Sequence, residues 1–472
     1  MKIYNILLVF LTPLLLLSCA SSQEANIERG SNFNFKAGQP ELYASAFGYI
    51  DEDQGPTLTL RAEIIKNTLS FKKDGDSLSA EFALDFQIQD QDNPENIIQT
   101  VRIQRTITVA SDNSIPSSRE AITIERQLQV DPSRYQIVAS MQDLNNDQSV
   151  TQRFETYIPK TETEAYTLSN IQMYGKQIGD KQWQPINTYS VRGRVDSLRF
   201  VFQIIGGDNG ERMTLNSTLL RFKSDTSHAR SMHFADYSSS SIEYKGIDYD
   251  EETEIQSTQR ILTDYNSVFI EYKFANQERG NYRFEVTATK GNKKNDVYKG
   301  RAFGIKSKNF PSIQTPREMA RPMAYLMNED NYEDLISISD SDSLKQAIDR
   351  FWLKHIGNAS KAKKVIELYY DRVEQANKQF SNFKEGWKTD FGMIFVLFGP
   401  PWYTDDGLKE MTWFYSYNRS NPEYRYHFDQ PKLQNEFFPF QHYVLDRING
   451  YYNVEYSQQQ LWLTGQILTR RI

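Results

Sequence analysis

Three carboxylates and a tryptophan fall close together in the C-terminal part of the sequence and could line a ligand cleft. They are Asp390, Trp402, Asp405 and Glu410. In enzymes that cleave glycosidic bonds, two carboxyl groups flank the scissile bond, and an aromatic ring can pack on the sugar. Asp390 and Glu410 are therefore candidates for the acid and the base. Their spacing in the sequence leaves the distance between the two carboxyl groups open.

The same residues also have a structural interpretation. Asp390 can accept backbone N–H groups in a tight turn, and the neighbouring Trp387 can bury a large apolar surface. Residues 405–407, Asp-Asp-Gly, are a typical turn sequence. We favour this structural interpretation because buried aromatic side chains usually serve packing.

Other chemistries find less support in the sequence. The five histidines lie outside any HExxH or triad-like local motif, the sequence contains no GxGxxG or Walker motif, and Cys19 is the single cysteine. Two acidic stretches, residues 143–147 and 248–254, offer oxygen ligands for calcium. The first lacks the glycine and the glutamate of a calcium loop, so we interpret it as a polar hairpin loop and the second as a solvated loop. We predict no catalytic residue, no metal site, no cofactor and no bound nucleotide.

Asp390 belongs to the segment 386–401, which the rest of the C-terminal region must position. The sequence predicts a turn that leads into an apolar strand at residues 393–398, which Gly399 and Pro400 end. Two amphipathic helices are predicted before it, the first behind capping candidates at residues 341–343 and the second at residues 360–380.

The region before these helices has the pattern of two β-sandwich modules, residues 32–159 and 160–308. Every second residue of the stretch 78–88 is apolar, and residues 198–204 alternate in the same way. Runs of strands without helical periodicity predict antiparallel, Ig-like sandwiches. The expected fold is therefore mostly β, with two such modules followed by an α+β domain that combines a helix pair with a small β-sheet.

One tyrosine in each module lies two residues into a strand that follows a turn. These residues are Tyr135 and Tyr282. Their placement is similar to that of the tyrosine corner of Ig-like sandwiches, in which the hydroxyl group bonds back to the preceding loop. We therefore expect both hydroxyl groups to bond to backbone upstream of their strands.

The N-terminal residues have the pattern of an export signal. A basic start and an apolar run end at Leu16-Leu17-Ser18-Cys19, and the run is too short to cross a bilayer. These four residues resemble the lipobox of bacterial lipoproteins, whose cysteine is lipidated. The resemblance implies a signal peptide at residues 1–18, lipidation of Cys19, a tether at residues 19–31 and anchoring to the outer membrane. In some bacteria a cluster of acidic residues just after the lipidated cysteine is an export signal to the cell surface. Here Glu24 is the single carboxylate just after Cys19, so we expect the protein to face the periplasm, with the cell surface as the alternative.

The formal charge of the 472-residue chain is −7. A net negative charge disfavours attraction to nucleic acids, so we expect no nucleic-acid partner.

Several spaced elements of the C-terminal region together resemble the GWxTD domain family. They include Gly386, Trp387, Thr389, Asp390 and Gly392, and then Gly399 and Pro400. The resemblance covers residues 316–472, and it implies a lipoprotein with β-rich regions before a C-terminal domain whose function is undefined. The residue after Asp390 is Phe391, where the family usually has a basic residue.

Two functional hypotheses follow. The first is a non-catalytic lipoprotein that acts as a scaffold and binds a protein partner of the cell envelope. The second is a glycan-binding or glycan-cleaving protein with its cleft at Asp390, Trp402, Asp405 and Glu410. Convergence of these four side chains on an open pocket would favour the second hypothesis, and burial of Trp387 and Asp390 would favour the first.

Overall fold

The computed structural model describes residues 26–30, 38–110, 120–160, 166–179, 181–206, 212–236, 246–263, 267–275, 277–290, 296–416, 424–431 and 440–469. The predicted signal peptide and Cys19 lie outside these residues, as does most of the predicted tether. Among the described residues, none of the helices combines the length and the apolar character needed to cross a lipid bilayer.

The described part of the chain is mostly β-structure. Its strands are β1 (Ile27–Glu28), β2 (Leu42–Asp51), β3 (Gly55–Ile65), β4 (Lys72–Asp74), β5 (Ser77–Asp90), β6 (Ile97–Ala110), β7 (Ala121–Gln129), β8 (Arg134–Asp143), β9 (Ser149–Tyr157), β10 (Thr167–Leu168), β11 (Gln172–Gln177), β12 (Trp183–Pro185), β13 (Ser190–Val191), β14 (Val195–Ile205), β15 (Met213–Ser224), β16 (Ile247–Leu262), β17 (Ser267–Ala275), β18 (Gly280–Lys290), β19 (Val297–Ile305), β20 (Tyr403–Asp406), β21 (Glu410–Phe414), β22 (Arg425–Asp429) and β23 (Val444–Leu445). Its α-helices are α1 (Pro316–Ala320), α2 (Glu329–Ser337), α3 (Ser341–Ile356), α4 (Ala359–Phe380), α5 (Asp390–Phe398) and α6 (Tyr451–Leu463).

The chain forms two compact units. The N-terminal unit comprises Met1–Phe222 and Glu252–Ile305, and the C-terminal unit comprises Lys223–Glu251 and Lys306–Ile472. The segment 223–251 falls inside the predicted second module in sequence, but it packs with the C-terminal unit. Its residues Ala229 and Met232 belong to the same apolar core as Trp387.

The first β-sandwich of the N-terminal unit combines two antiparallel sheets. One sheet has the order β2-β3-β7. In the other, β5 pairs with β6 along one edge and with β8 and the short strand β4 along the other, and β9 pairs with β8. The side chains of Ala80, Phe82, Leu84, Phe86 and Ile88 are fully buried on one face of β5. This face packs in one core with residues of β2 and β3, which confirms the strand predicted from the alternating pattern.

The second β-sandwich also belongs to the N-terminal unit. One sheet has the order β1-β19-β18-β15-β16, with β13 also paired to β19, and the other has the order β10-β14-β11-β12, with β17 paired to β14. The rings of Phe200 on β14 and Phe284 on β18 stack with their centroids 4.6 Å apart. Apolar side chains of both sheets form one core.

Both predicted tyrosine corners are present. The Tyr282 hydroxyl donates a hydrogen bond of 2.7 Å to the carbonyl oxygen of Glu278, and the Tyr135 hydroxyl donates to the carbonyl oxygen of Asp131. In each case the acceptor lies four residues upstream, so each tyrosine ties its strand to the loop that precedes it.

The C-terminal unit contains the predicted helix pair and a four-stranded antiparallel sheet in the order β20-β21-β22-β23. The side chains of Asp340 and Asn358 cap the N-termini of α3 and α4. The Tyr369 ring lies between Trp352 and Trp462, at centroid distances of 5.6 and 5.1 Å. These aromatic side chains are fully buried and hold α3, α4 and α6 together.

Two local predictions were wrong. The apolar stretch 393–398 is not a strand but most of helix α5, and every residue of the stretch is buried. A short apolar run fits a buried strand and a buried helix equally well by periodicity, and this run forms a helix that Thr389 caps. The acidic stretch 248–254 is not a loop but lies within the largely exposed strand β16. Its Glu251 forms an ion pair of 2.8 Å with Lys223 of β15.

The other acidic stretch, residues 143–147, is the predicted polar hairpin loop, between β8 and β9. The Asp143 carboxylate accepts hydrogen bonds from the backbone N–H groups of Ser70 and Asn145. This carboxylate therefore serves the loop itself.

Candidate functional site

The segment 386–392, hereafter the motif segment, makes a tight turn that starts helix α5. Residues 386–388 form a short 3₁₀ turn, and Thr389 is the N-cap of the helix. The Thr389 hydroxyl donates to the carbonyl oxygen of Gly386 at 2.7 Å and accepts from the backbone N–H of Gly392 at 3.0 Å. One side chain thus closes the turn and caps the helix.

The two glycines of the motif segment allow backbones to approach closely. A Cβ atom on Gly386 would lie 1.8 Å from the carbonyl oxygen of Ala376 in α4, and a Cβ atom on Gly392 would lie 1.8 Å from the carbonyl oxygen of Gly386. Any side chain would therefore collide with backbone atoms. These two positions require glycine for packing between α4, the turn and α5.

Trp387 is buried, with 3% of its surface exposed. Its ring packs edge-on against Tyr325 at a centroid distance of 6.0 Å and lies nearly parallel to the His228 ring at 6.5 Å. The Tyr325 hydroxyl donates to the carbonyl oxygen of Trp387 at 2.7 Å, which fixes the turn against the helical region. Trp387 is therefore a packing anchor of the C-terminal core.

Asp390 is also buried, and its carboxylate forms a bidentate ion pair with Arg447. The Nη1 and Nη2 atoms of Arg447 lie 2.8 and 2.7 Å from Oδ2 and Oδ1 of Asp390. The backbone N–H of Leu445 donates a third bond to Oδ2, at 2.7 Å. Both carboxylate oxygens are thus engaged from inside the protein, as a buried charge requires.

The electrostatics of the site keep Asp390 ionised. Burial by itself would raise the pKa of Asp390, but the charge and hydrogen bonds of Arg447 and the Leu445 N–H outweigh it and hold the pKa below its usual value. A carboxylate that is paired in this way cannot donate a proton near neutral pH. Asp390 is therefore unsuited to be a general acid.

Arg447 is the residue that sequence reasoning missed. Its side chain is fully inaccessible, and it also donates to the backbone carbonyl oxygens of Arg230 and Ser231, at 3.0 and 3.1 Å. It lies 57 residues after Asp390, and its own neighbours in the sequence carry no signal for the pairing. The cation beside Asp390 comes from Arg447, and the adjacent Phe391 instead stacks on Trp413 at 4.8 Å.

The other candidate cleft residues lie on or beside the exposed hairpin β20–β21. Trp402 is 39% exposed, and Asp405 lies opposite Thr412 in the register of the two strands. Glu410 is two positions before Thr412, so the sheet places Asp405 and Glu410 on one face. The structure therefore places these two carboxylates on the same face of the hairpin, but it keeps Asp390 in the core, paired with Arg447.

Glu410 has neighbours that could hold a metal ion. Its carboxylate lies 3.6 Å from Nε2 of His427, which is 3.4 Å from Asp429, and a hydrogen bond of 2.9 Å joins Nδ1 of His427 to the Thr412 hydroxyl. Glu410, His427 and Asp429 each offer one ligand atom, and these atoms lie within 4.8 Å of one another. Among the described residues, these three side chains are therefore the candidate metal ligands. The three side chains are 36 to 63% exposed, and polar contacts between an imidazole and two surface carboxylates account for the same geometry without a metal ion.

Comparison with known proteins places the motif segment in a named domain. Residues 288–464 match the family model of the GWxTD domain. No curated protein sequence matches the chain.

Two solved structures show weak similarity. One is a red sea bream transglutaminase, with 11% identity and a TM-score of 0.17, and the alignment covers 57% of this chain and 31% of that one. The other is a Salmonella alpha-2-macroglobulin variant, with 14% identity and a TM-score of 0.19, and the alignment covers 57% of this chain and 17% of that one. The chain thus spans less than a third of either protein, and these similarities support no statement about its activity.

Proposed function

We propose, from the match of residues 288–464 to the GWxTD domain, that this protein is a non-catalytic scaffold of the cell envelope. In this proposal a lipid on Cys19 holds the protein to the outer membrane, facing the periplasm, and the C-terminal unit binds a protein partner. The β-sandwiches act as spacers and further docking surfaces.

One observation carries the proposal: the polar groups of the motif segment are used inside the fold. The Asp390 carboxylate accepts hydrogen bonds from Arg447 and from the Leu445 N–H. The Thr389 hydroxyl bonds to the carbonyl oxygen of Gly386 in the turn and caps helix α5. A catalytic carboxylate must instead reach a substrate. Asp390 is buried and Glu410 is exposed. The two carboxylates therefore do not form the acid–base pair that the glycan-cleaving alternative requires.

The anchor is supported by the Leu-Leu-Ser-Cys sequence at residues 16–19. We expect the Cys19→Ser variant, expressed in a bacterium that lipidates envelope proteins, to lose its membrane association. In this proposal the acyl chains on Cys19 provide the membrane affinity, and without them the polar chain after Cys19 does not partition into the bilayer. Cell fractionation with immunoblotting measures the distribution, and a Ser18→Ala variant is the matched control. Retention of Cys19→Ser in the membrane fraction would contradict the proposed anchor.

We propose the tip of hairpin β20–β21 as the partner surface. Leu408 at this tip is 98% exposed, and Trp402 at the base of the hairpin is also accessible. An accessible apolar side chain on a rigid hairpin can insert into a pocket of a partner. Since Leu408 is so exposed, its replacement by serine should leave the stability of the domain unchanged.

Partner binding can be tested in the full-length protein by cross-linking in cells followed by affinity isolation. We expect Leu408→Ser to reduce recovery of the cross-linked envelope protein about tenfold. The control is Ile98→Ser, which removes a 45% exposed apolar side chain from β6. Truncation of residues 316–472 is less informative, because it would strip Ala229 and Met232 of their core partners. Equal recovery from wild type and Leu408→Ser would refute docking at this hairpin.

A further inference from the structure

A cleft of about 410 Å³ lies in the N-terminal unit, with walls from both β-sandwiches. The first sandwich contributes residues such as Phe47 and Arg153, and the second contributes residues such as Ile171 and Arg301. Its volume falls in the range of small-molecule sites, about 300–1,000 Å³. The cleft is unrelated to the motif segment and needs its own explanation.

Arg301 is the most unusual residue of this cleft. It is 4% exposed, and its Nη2 atom donates to the carbonyl oxygens of Ile186 and Thr188, both at 3.2 Å. Its buried Nε atom has no hydrogen-bond partner among the described residues. Carbonyl oxygens carry no countercharge, so these two hydrogen bonds leave the charge of the buried guanidinium to be balanced by another group.

Glu28 lies opposite Arg301 in the pairing of β1 with β19, but it neutralises this charge poorly. Its Oε1 atom is inaccessible and has no hydrogen-bond partner in the described part of the chain. Burial raises the pKa of Glu28 to about 7, against the opposing charges of Lys299 and Arg301. Near neutral pH this carboxyl group is therefore protonated in about half of the molecules.

The remaining charges around the cleft are predominantly positive. Its walls carry four arginines and two glutamates. Arg61 is engaged by Glu125 at 2.8 Å, and Glu155 accepts a hydrogen bond from Gln91. Arg153 lies on the exposed rim of the cleft. An anion that enters would therefore meet a positive rim and a buried cation behind it.

The cleft also has an apolar wall. Phe47, Phe154 and Ile171 line it beside the arginines. Gly30 brings the chain close to Arg301, since a Cβ atom there would lie 2.9 Å from Nη2 of Arg301 and 2.5 Å from the carbonyl oxygen of Asn187. A ligand with an apolar body and a charged end would match both halves of the lining.

We propose that this cleft binds a small organic oxyanion, a carboxylate or a phosphate on an apolar or ring-shaped body, with Arg301 as its counter-ion. The negative charge of the ligand would balance the charge of the Arg301 guanidinium, and the body would pack against Phe47 and Phe154. Glu28 competes with the ligand for Arg301 whenever its carboxyl group is ionised. This site is independent of the proposed scaffold function of the C-terminal unit.

The test is a calorimetric titration of the full-length protein with three probes of similar shape: benzoate, phenyl phosphate and neutral benzamide. We expect saturable binding of at least one anion at about pH 6 and none of benzamide, and the stronger anion identifies the headgroup. Arg301→Met should weaken binding at least about tenfold. The matched control is Arg102→Met, which removes a 63% exposed arginine from β6 and should leave binding unchanged. Failure of both anions to bind, or equal binding of benzamide, would overturn the proposal.

A second variant keeps the proposal testable if Arg301→Met does not fold. Glu28→Gln removes the competing charge with little change in shape. The other charged or titratable groups around Glu28 are Lys299, Arg301 and Tyr157, and burial raises the pKa of Tyr157 far above neutrality. With benzoate, which stays ionised throughout this range, wild-type affinity should fall several-fold from about pH 6 to about pH 8 as Glu28 ionises, whereas Glu28→Gln should show a flat profile. Identical pH profiles for the two proteins would overturn the assigned role of Glu28 and Arg301.

Discussion

Replacing Asp390 by asparagine is expected to lower the free energy of unfolding of the C-terminal unit by about 3–5 kcal/mol. The substitution leaves the Arg447 guanidinium buried without its counter-ion, and the side chain of Arg447 is 0% exposed. Asparagine can keep one hydrogen bond, but it cannot replace the charge or the bidentate geometry. Urea denaturation followed by tryptophan fluorescence measures the loss, because Trp387 and Trp413 are buried in the same core.

The matched control is Asp405→Asn, which makes the same chemical change at an exposed position of the same unit. Surface substitutions of this kind usually change stability by no more than about 0.5 kcal/mol. A double variant, Asp390→Leu with Arg447→Met, should recover part of the loss, because an apolar pair leaves no buried charge. Recovery should be incomplete because the Leu445 N–H and the carbonyl oxygens of Arg230 and Ser231 lose these hydrogen bonds. If Asp390→Asn were as stable as Asp405→Asn, the structural role of this ion pair would be wrong.

The ion pair also predicts the direction of an acid effect. The folded-state pKa of Asp390 lies below its ordinary value of 3.8, so the unfolded chain takes up a proton first as the pH falls. The stabilisation by the pair is therefore complete above the unfolded pKa and is lost as the pH falls through the folded pKa. Between neutral pH and about pH 3, wild type should lose more stability than Asp390→Asn, which has no proton to bind at this position.

The second large effect is expected for Gly386→Ala, which should destabilise the C-terminal unit by about 4 kcal/mol or prevent its folding. The new Cβ atom would lie 1.8 Å from the carbonyl oxygen of Ala376 and 2.9 Å from the Cα atom of Asn377. Both are backbone atoms of α4, so no change of rotamer can relieve the collision. Soluble yield and the urea midpoint of the purified variant report the effect.

Gly450→Ala provides the control for this substitution. At Gly450 a Cβ atom would have its nearest neighbour at 3.8 Å, and the backbone angle φ is −62°, which any residue can adopt. We expect Gly450→Ala to be neutral or slightly stabilising, since alanine restricts the unfolded chain more than glycine does. Equal stability of the two alanine variants would show that α4 can move away from the turn.

Each polar residue or glycine of the motif segment discussed above has a role in folding the C-terminal unit. Its glycines permit the contact between α4 and α5, its threonine caps α5, and its aspartate holds the distant Arg447. The segment thus joins helices, turn and sheet in one core. The recognisable sequence signature records how the domain folds.

The sequence by itself determined those features that depend on neighbouring residues. The alternation in residues 78–88 and 198–204 predicts strands β5 and β14, because successive side chains of a strand point to opposite faces. Apolar stripes predict helices α3 and α4, but the N-caps are Asp340 and Asn358 and not the predicted residues 341–343. The two tyrosine corners were also predictable, since the hydroxyl group and its acceptor are separated by four residues.

Only the tertiary structure decided the features that depend on distant residues. The partner of Asp390 lies 57 residues downstream, and the cleft at Arg301 combines strands of two sandwiches. The segment 223–251 joins a unit whose other residues begin at Lys306. The helix at residues 390–398 was misread for a related reason, because burial on every side removes the periodicity that distinguishes a helix from a strand. Local patterns specify the elements, whereas burial, ion pairs and cavities arise only when the chain brings remote residues into contact.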